Sequence, residues 1–174
     1  MLVDFTGYAG DCLIRGHLDL RSERLTDQLH ADPAVRLTDV ILESLDDGRR
    51  VAVPEFVVRR EDLCAVVAAG PRGTRHLRVA TTAHRLQAQI GPYTVLGRLH
   101  APPGADAIRS FADRDLMVPL TDATIAYIVA GIVEVRDVAT LIINRELASW
   151  LRDAEGIETG RPRLAVVDGS LGRS

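Results

Sequence analysis

The chain has 174 residues, of which 47% are hydrophobic, 26% are charged and only 4% are aromatic, and its formal net charge is -3. This length fits one ordinary domain or two small ones, and the charge balance argues against a dedicated duplex-binding protein, which carries a concentrated basic surface. No apolar run of about 18 residues is present, so we expect no membrane span. All 21 basic residues are arginine, a bias typical of a GC-rich bacterial genome.

The first half of the chain has the pattern of a small antiparallel β domain. Residues 12–20 alternate between apolar and polar side chains, which is typical of a strand with one buried face. Asp46-Asp47-Gly48 predicts a hairpin turn, and Pro54 places the strand that follows it at a sheet edge. The predicted elements are a strand at 12–20, one or two helical turns within 21–30, strands at 35–45 and 51–58, and a strand or short helix at 63–69.

A cluster of helix and strand breakers divides the chain. It comprises Gly70-Pro71-Arg72-Gly73 and predicts a domain boundary. We therefore expect a first domain at 1–70, a linker at 71–74, a second domain at 75–153 and a flexible tail at 154–174. The predicted elements of the second domain are strands at 95–100, 116–129 and 132–143, short helices within 105–111 and 145–153, and an apolar patch at 164–167 that adds to a sheet edge or stays in the tail.

An internal repeat relates the two halves. Leu-Thr-Asp occurs twice, preceded by a glycine 21 residues earlier in the first half and 23 in the second, and followed by an apolar pair at the same two spacings. Three anchors in one order predict a tandem duplication. The residues of this repeat signature are Gly16, Leu37, Thr38 and Asp39 in the first copy and Gly97, Leu120, Thr121 and Asp122 in the second.

With these residues the chain resembles an uncharacterised bacterial small-barrel domain that combines a glycine strand, a Leu-Thr-Asp-Ala strand and a closing apolar pair. The order of its elements is also similar to that of Sm-like and SH3-like proteins. The resemblance implies a mostly-β fold of two tandem small Sm-like or SH3-like barrels, with short helices and a flexible C-terminal tail. Sm-like proteins commonly assemble into rings and bind single-stranded RNA, so both properties become expectations.

About 70 residues per copy bury only a small core, and pairing of exposed strand edges would relieve that shortage. We therefore predict a cytoplasmic homo-oligomer that acts as a non-catalytic interaction or regulatory scaffold. The alternative is a single-stranded RNA-binding ring, for which Arg75, Arg78 and Arg85 are the candidate contacts. The aromatic rings of Tyr93 and Tyr127 would suit base stacking, although burial is favoured. A metal-dependent enzyme is the third alternative.

Side chains that carry chemistry are few. His17 and Asp19 share a strand face and would suit zinc or iron, but a solvated face is favoured because no third ligand repeats nearby. Asp39 and Asp122 favour a structural role over a symmetric catalytic pair. We assign no catalytic, cofactor-binding or metal-binding residue and expect no cofactor, although the enzyme question stays open.

Three further features concern contacts and partners. Cys12 and Cys64 lack the spacing of a zinc site or disulfide framework, so we expect reduced structural thiols. Trp150 is expected in the core or as an interface anchor. The tail sequence Asp168-Gly169-Ser170-Leu171-Gly172 is similar to peptides that direct actinobacterial proteins into encapsulin shells, which makes such a shell a candidate partner through residues 168–174.

Overall fold

The structure is a computed structural model that describes residues 1–68 and 80–156. Its strands are β1 (Leu2–Ala9), β2 (Cys12–Asp19), β3 (Ala34–Ser44), β4 (Arg50–Arg59), β5 (Leu63–Val67), β6 (Thr82–Ile90), β7 (Tyr93–Ala101), β8 (Met117–Val129), β9 (Ile132–Asn144) and β10 (Ala148–Asp153). Two short helices, α1 (Leu25–Ala31) and α2 (Ala107–Ala112), follow β2 and β7. The predicted mostly-β class is confirmed.

All ten strands belong to one antiparallel sheet in the order β10-β6-β7-β8-β9-β5-β1-β2-β3-β4. The N-terminal unit, residues 2–67, contributes β1 to β5, and the C-terminal unit, residues 82–153, contributes β6 to β10. Inside each unit the first strand lies between the second and the fifth, and the third lies between the second and the fourth. The two units meet where β5 pairs with β9, a contact that we call the internal junction.

The two units also share the irregularities of their ladders. The register between the second and third strands shifts after Arg15 in one unit and after Leu96 in the other. Glycine is required beside each shift because the strands approach closely there. A Cβ on Gly16 would lie 2.9 Å from the Thr38 carbonyl oxygen, and one on Gly97 would lie 2.9 Å from the Leu120 Cβ.

Alternation along the strands produces two hydrophobic cores. The N-terminal core is formed mainly by the N-terminal unit but includes Met117 and Ile142 of the C-terminal unit. The C-terminal core includes four side chains of the N-terminal unit, namely Tyr8, Leu13, Cys64 and Ala65. Each unit thus completes the core of the other at the internal junction.

Most predicted elements are confirmed within a few residues at their ends. The 63–69 segment, predicted as a strand or a short helix, contains strand β5, and Pro54 lies on β4 at the edge of the sheet. The predicted helix at 145–153 is wrong. That segment forms one 3-10 turn, Arg145–Leu147, and then strand β10, because pairing with β6 outweighs a weak helical spacing.

Parts of the predicted organisation fall outside the described residues: the linker at 71–74, the patch at 164–167 and the tail beyond 156. Ala154, the first residue of the predicted tail, is buried, and its amide donates to the Arg85 carbonyl oxygen at 2.8 Å. Within the described residues, no helix has the length and apolarity needed to cross a membrane.

Candidate functional site: the two free edges of the sheet

The repeat signature occupies equivalent structural places in the two units. Leu37 and Leu120 are fully buried, one in each core. Asp39 and Asp122, one position beyond each threonine, adopt left-handed backbone conformations with φ of 50° and 47°. Aspartate tolerates this conformation better than most residues, and it interrupts the ladder at a bulge.

The two aspartates contact different partners. The Asp39 carboxylate lies 3.8 Å from the Nδ1 of His17, and the Asp122 carboxylate lies 4.0 Å from the Nε of Arg98. Both carboxylates are largely exposed, and each lies beside the second strand of its own unit. This geometry suits a local structural role at each bulge.

His17 and Asp19, the possible metal ligands, and His100 on β7 have other neighbours. His17 Nε2 lies 3.5 Å from Asp4, whereas Asp19 accepts a hydrogen bond from the N-terminal amine of Met1 at 2.9 Å. His100 Nε2 lies 2.7 Å from the Thr121 hydroxyl. Among residues 1–68 and 80–156, no group of three or more histidine, cysteine or acidic side chains is arranged to hold a metal ion.

The described residues provide little support for the candidate RNA contacts. Arg75 and Arg78 lie outside the described residues. Arg85 lies on β6, where its backbone amide donates to the Glu155 carboxylate at 2.8 Å. Tyr93 and Tyr127 are buried, so their rings are not available to stack on bases.

All three tyrosines instead meet at the contact between the units. Tyr8, Tyr93 and Tyr127 pack edge-to-face with ring centroids 5.3 to 5.7 Å apart. The buried Tyr93 hydroxyl donates to the Ala9 carbonyl oxygen at 2.5 Å, which ties the C-terminal unit to the N-terminal one. Burial raises the pKa of Tyr8 to about 12 and also raises the pKa of Tyr93. No local pattern predicts this cluster, because its members are distant along the chain.

A buried carboxylate, that of Glu43, lies beside this cluster, and no local pattern predicts its burial. Glu43 is 8% exposed and accepts hydrogen bonds from Arg15 at 3.0 Å and from Arg50 at 3.1 Å. Together with Arg136 and Glu134 these side chains line a cleft of about 340 Å³ between the β3–β4 hairpin and the β8–β9 hairpin. The guanidinium groups of Arg15, Arg50 and Arg136 share this cleft with acidic side chains that offset their charge. We therefore regard it as a structural contact between the units.

The described residues leave two strand edges without a neighbouring strand, β4 at one end of the sheet and β10 at the other. An edge strand presents unpaired amide and carbonyl groups and is a template for adding a strand from another chain. β4 and β10 are also the strands that correspond, by their places in the two units, to β9 and β5. The internal junction therefore joins the counterparts of the two free edges.

Register defines these counterparts residue by residue. At the internal junction Ala65 pairs with Ile143, and Val66 pairs with Ile142. Ala65 lies just after a bulge in the pairing of β5 with β1, and Trp150 holds the same place in the pairing of β10 with β6. By the same comparison Leu151 corresponds to Val66. On the other edge, Val58 and Val57 correspond to Ile143 and Ile142.

Exposure differs sharply between the junction and the free edges. Ile142 and Ala65 are each 0% exposed, whereas their counterparts Val57 and Trp150 are 57% and 42% exposed. Apolar side chains that the internal junction covers therefore lie open at the ends of the sheet. Exposed apolar groups beside unpaired strand edges are typical of an interaction surface.

The β4 edge adjoins a groove of about 800 Å³, which we call the edge groove. Its walls include apolar side chains of the N-terminal core, among them Ile14 and Val58, together with Cys12 and Cys64. Both cysteines are free thiols, and burial raises the pKa of each to about 11. The groove thus opens into the N-terminal core next to the free strand.

Comparisons of the chain with protein-family models, with curated proteins and with solved structures give no match.

Proposed function

We propose that this protein is a non-catalytic scaffold that forms homo-oligomers by adding strand β10 of one chain to strand β4 of the next. The proposal treats the chain as a tandem duplication of a small Sm-like or SH3-like barrel. Its main support is the internal junction, which pairs the counterparts of these two edges. A contact that joins the two units within a chain is then repeated between chains.

The internal junction supplies the register of the proposed contact. Ala65 with Ile143 and Val66 with Ile142 become Trp150 with Val58 and Leu151 with Val57 of the next chain. One further step pairs Arg152 with Phe56, as Val67 pairs with Leu141. These pairs bring apolar side chains of both edges together.

Charges at the ends limit this pairing to a short segment. The next pair would place Asp153 opposite Glu55, and like charges directly opposite each other on neighbouring strands are destabilising. On the other side Arg59 begins a charged turn with ion pairs to Glu61 at 2.8 Å and Asp62 at 2.9 Å. The apolar stretch 56–58 is therefore the part of β4 best suited to accept a strand.

A contact between two different edges has a consequence for the assembly. Head-to-tail contacts produce a ring where the rotation closes and an open filament where it does not. The same geometry supports a non-catalytic scaffold, because head-to-tail assembly presents the same surface of each chain repeatedly along the oligomer. A ring is the form that the Sm-like resemblance implies.

Light scattering after size exclusion tests the proposal, with the variants Val57→Asp and Val51→Asp. Both valines are exposed on β4, but only Val57 lies in the proposed register. We expect an oligomer of roughly three chains or more for the wild type and for Val51→Asp, and single chains for Val57→Asp. A monomeric wild type at all concentrations, or equal behaviour of the two variants, would refute edge addition.

The same elution peak separates the alternatives. Nucleic acid that co-elutes with the oligomer and dissociates steeply with salt would support the RNA-binding ring. A stoichiometric metal would support the enzyme instead. A monomer with a protected β4 edge would point to an internal occupant such as residues 164–167.

A further inference from the structure

The direction of the Trp150 side chain follows from the alternation along β10. Leu151 packs against the C-terminal core of its own chain. Because successive side chains of a strand point to opposite faces, Trp150 points away from that core. It also forms a cation–π contact with Arg152 at 5.7 Å, a contact that is weak at an exposed site.

The internal junction indicates what should cover such a side chain. Val66 packs into the core of its own unit, whereas Ala65 packs into the core of the other unit, beside Ile143. Trp150 is the counterpart of Ala65, and Val58 is the counterpart of Ile143. At a repeated contact Trp150 would therefore face the N-terminal core of the next chain, next to Val58.

The edge groove lies at that place. Val58 lines it together with Ile14 and Phe56, and its volume of about 800 Å³ exceeds that of an indole side chain. At the internal junction Tyr8 and Leu13 of the N-terminal unit fill the equivalent space in the C-terminal core. Their counterparts on β6 and β7 are the polar residues Gln89 and Thr94. At the proposed contact, Trp150 is therefore the large apolar side chain that can fill this space.

We propose that Trp150 of one chain inserts into the edge groove of the next chain and is the main anchor of the assembly. This inference rests on the proposed function and names the side chain and the pocket that make its contact specific. The rim of the groove carries three carboxylates, Asp11, Glu61 and Asp62, against the single guanidinium of Arg59. It offers acceptors for the indole N–H and a favourable field for Arg152, which accompanies Trp150.

Tryptophan fluorescence tests the insertion directly, because Trp150 is the only tryptophan of the chain. On assembly of the intact protein, its emission should shift to shorter wavelength and become resistant to a soluble quencher. Cys12, which lines the groove and is partly exposed, should become protected from a maleimide over the same concentration range. An oligomer in which Trp150 stays quenchable and Cys12 stays reactive would refute the inference but leave edge addition standing.

Two variants block the contact from opposite sides. Trp150→Ala removes the anchor, and Gly10→Leu places a bulky side chain on a residue that lines the groove, at a position where a Cβ meets no atom within 4 Å. Loss of a tryptophan anchor typically weakens a contact by about 30-fold or more. The control is Ile128→Ala, which removes an exposed side chain of β8 outside both edges.

Mixing the two variants gives the sharpest outcome. Each variant alone should be monomeric at concentrations where the wild type and Ile128→Ala assemble. Together they should form a one-to-one dimer, because one chain retains the groove and the other retains Trp150. Failure of the mixture to form this dimer while the wild type assembles would overturn the anchor, whereas a wild type that never assembles would overturn the proposed function itself.

Discussion

Truncation of Leu37 and Leu120 to alanine tests the strand placement on which the two-unit description depends. Leu37 is 0% exposed and Leu120 is 1% exposed, and they hold equivalent positions in β3 and β8. Loss of a buried leucine costs about 2–5 kcal/mol, because it removes transfer free energy and leaves a cavity. Each single variant should stay folded, since a domain has about 5–15 kcal/mol of stability.

The double variant should lose most of that stability. Leu37 belongs to the N-terminal core and Leu120 to the C-terminal core, so their costs should add to about 4–10 kcal/mol. Urea unfolding followed by circular dichroism measures each free energy of unfolding. Ile41→Ala is a matched control, because Ile41 lies on β3 but is exposed.

Two results would count against this reasoning. If both leucine variants lost no more stability than Ile41→Ala, these side chains would not be in a core and the strand placement would be wrong. If the double variant cost differed from the sum of the singles by much more than about 0.5 kcal/mol, the two leucine side chains would be energetically coupled across the internal junction rather than independent.

Two other predictions concern buried polar groups. Tyr93→Phe should lower the free energy of unfolding by about 1–3 kcal/mol, because it leaves the Ala9 carbonyl oxygen without its donor; an unchanged urea midpoint would show that this hydrogen bond contributes nothing. Burial raises the pKa of Cys64 from 9.0 to about 11, so between these values the native state holds a proton that the unfolded state has lost, and stability should fall as the pH rises from 9 to 11. Cys64→Ala should weaken this decline in urea titrations across that range, and an equal decline in both proteins would contradict the assignment.

Local patterns in the sequence were enough to place most of the strands. The Asp46-Asp47-Gly48 turn, the edge position of Pro54 and the recurrence of Leu-Thr-Asp all rest on neighbours in the chain, and the structure has a turn, an edge strand and two buried leucines at these places. The aspartate at the end of each motif corresponds to a left-handed residue at a bulge. Features of this kind can be recognised in the sequence, because bulges and turns have backbone conformations that few residue types adopt readily.

Features that depend on distant residues were not predictable in this way. Pairing of β5 with β9 joins segments from different halves, and no local pattern specifies which strand lies beside which. The same holds for the tyrosine cluster and for Glu43 with its two arginines. The wrong prediction of a helix at 145–153 has the same origin. Pairing with β6, rather than the spacing of its own apolar residues, determines the conformation of this segment.

The order of strands in the sheet also sets the order in which its pieces can fold. Six strand pairs, such as β1 with β2 and β8 with β9, join consecutive strands through hairpin turns or a short helical connection, and their loops close at low entropic cost. By contrast, β5 must find both β1 and β9 across most of a unit in each direction along the chain. Contacts of this range slow folding, so β5 should be among the last strands to acquire protection from hydrogen exchange during refolding. Until then its apolar sequence is exposed, which makes this five-residue strand a segment through which nascent chains are prone to associate.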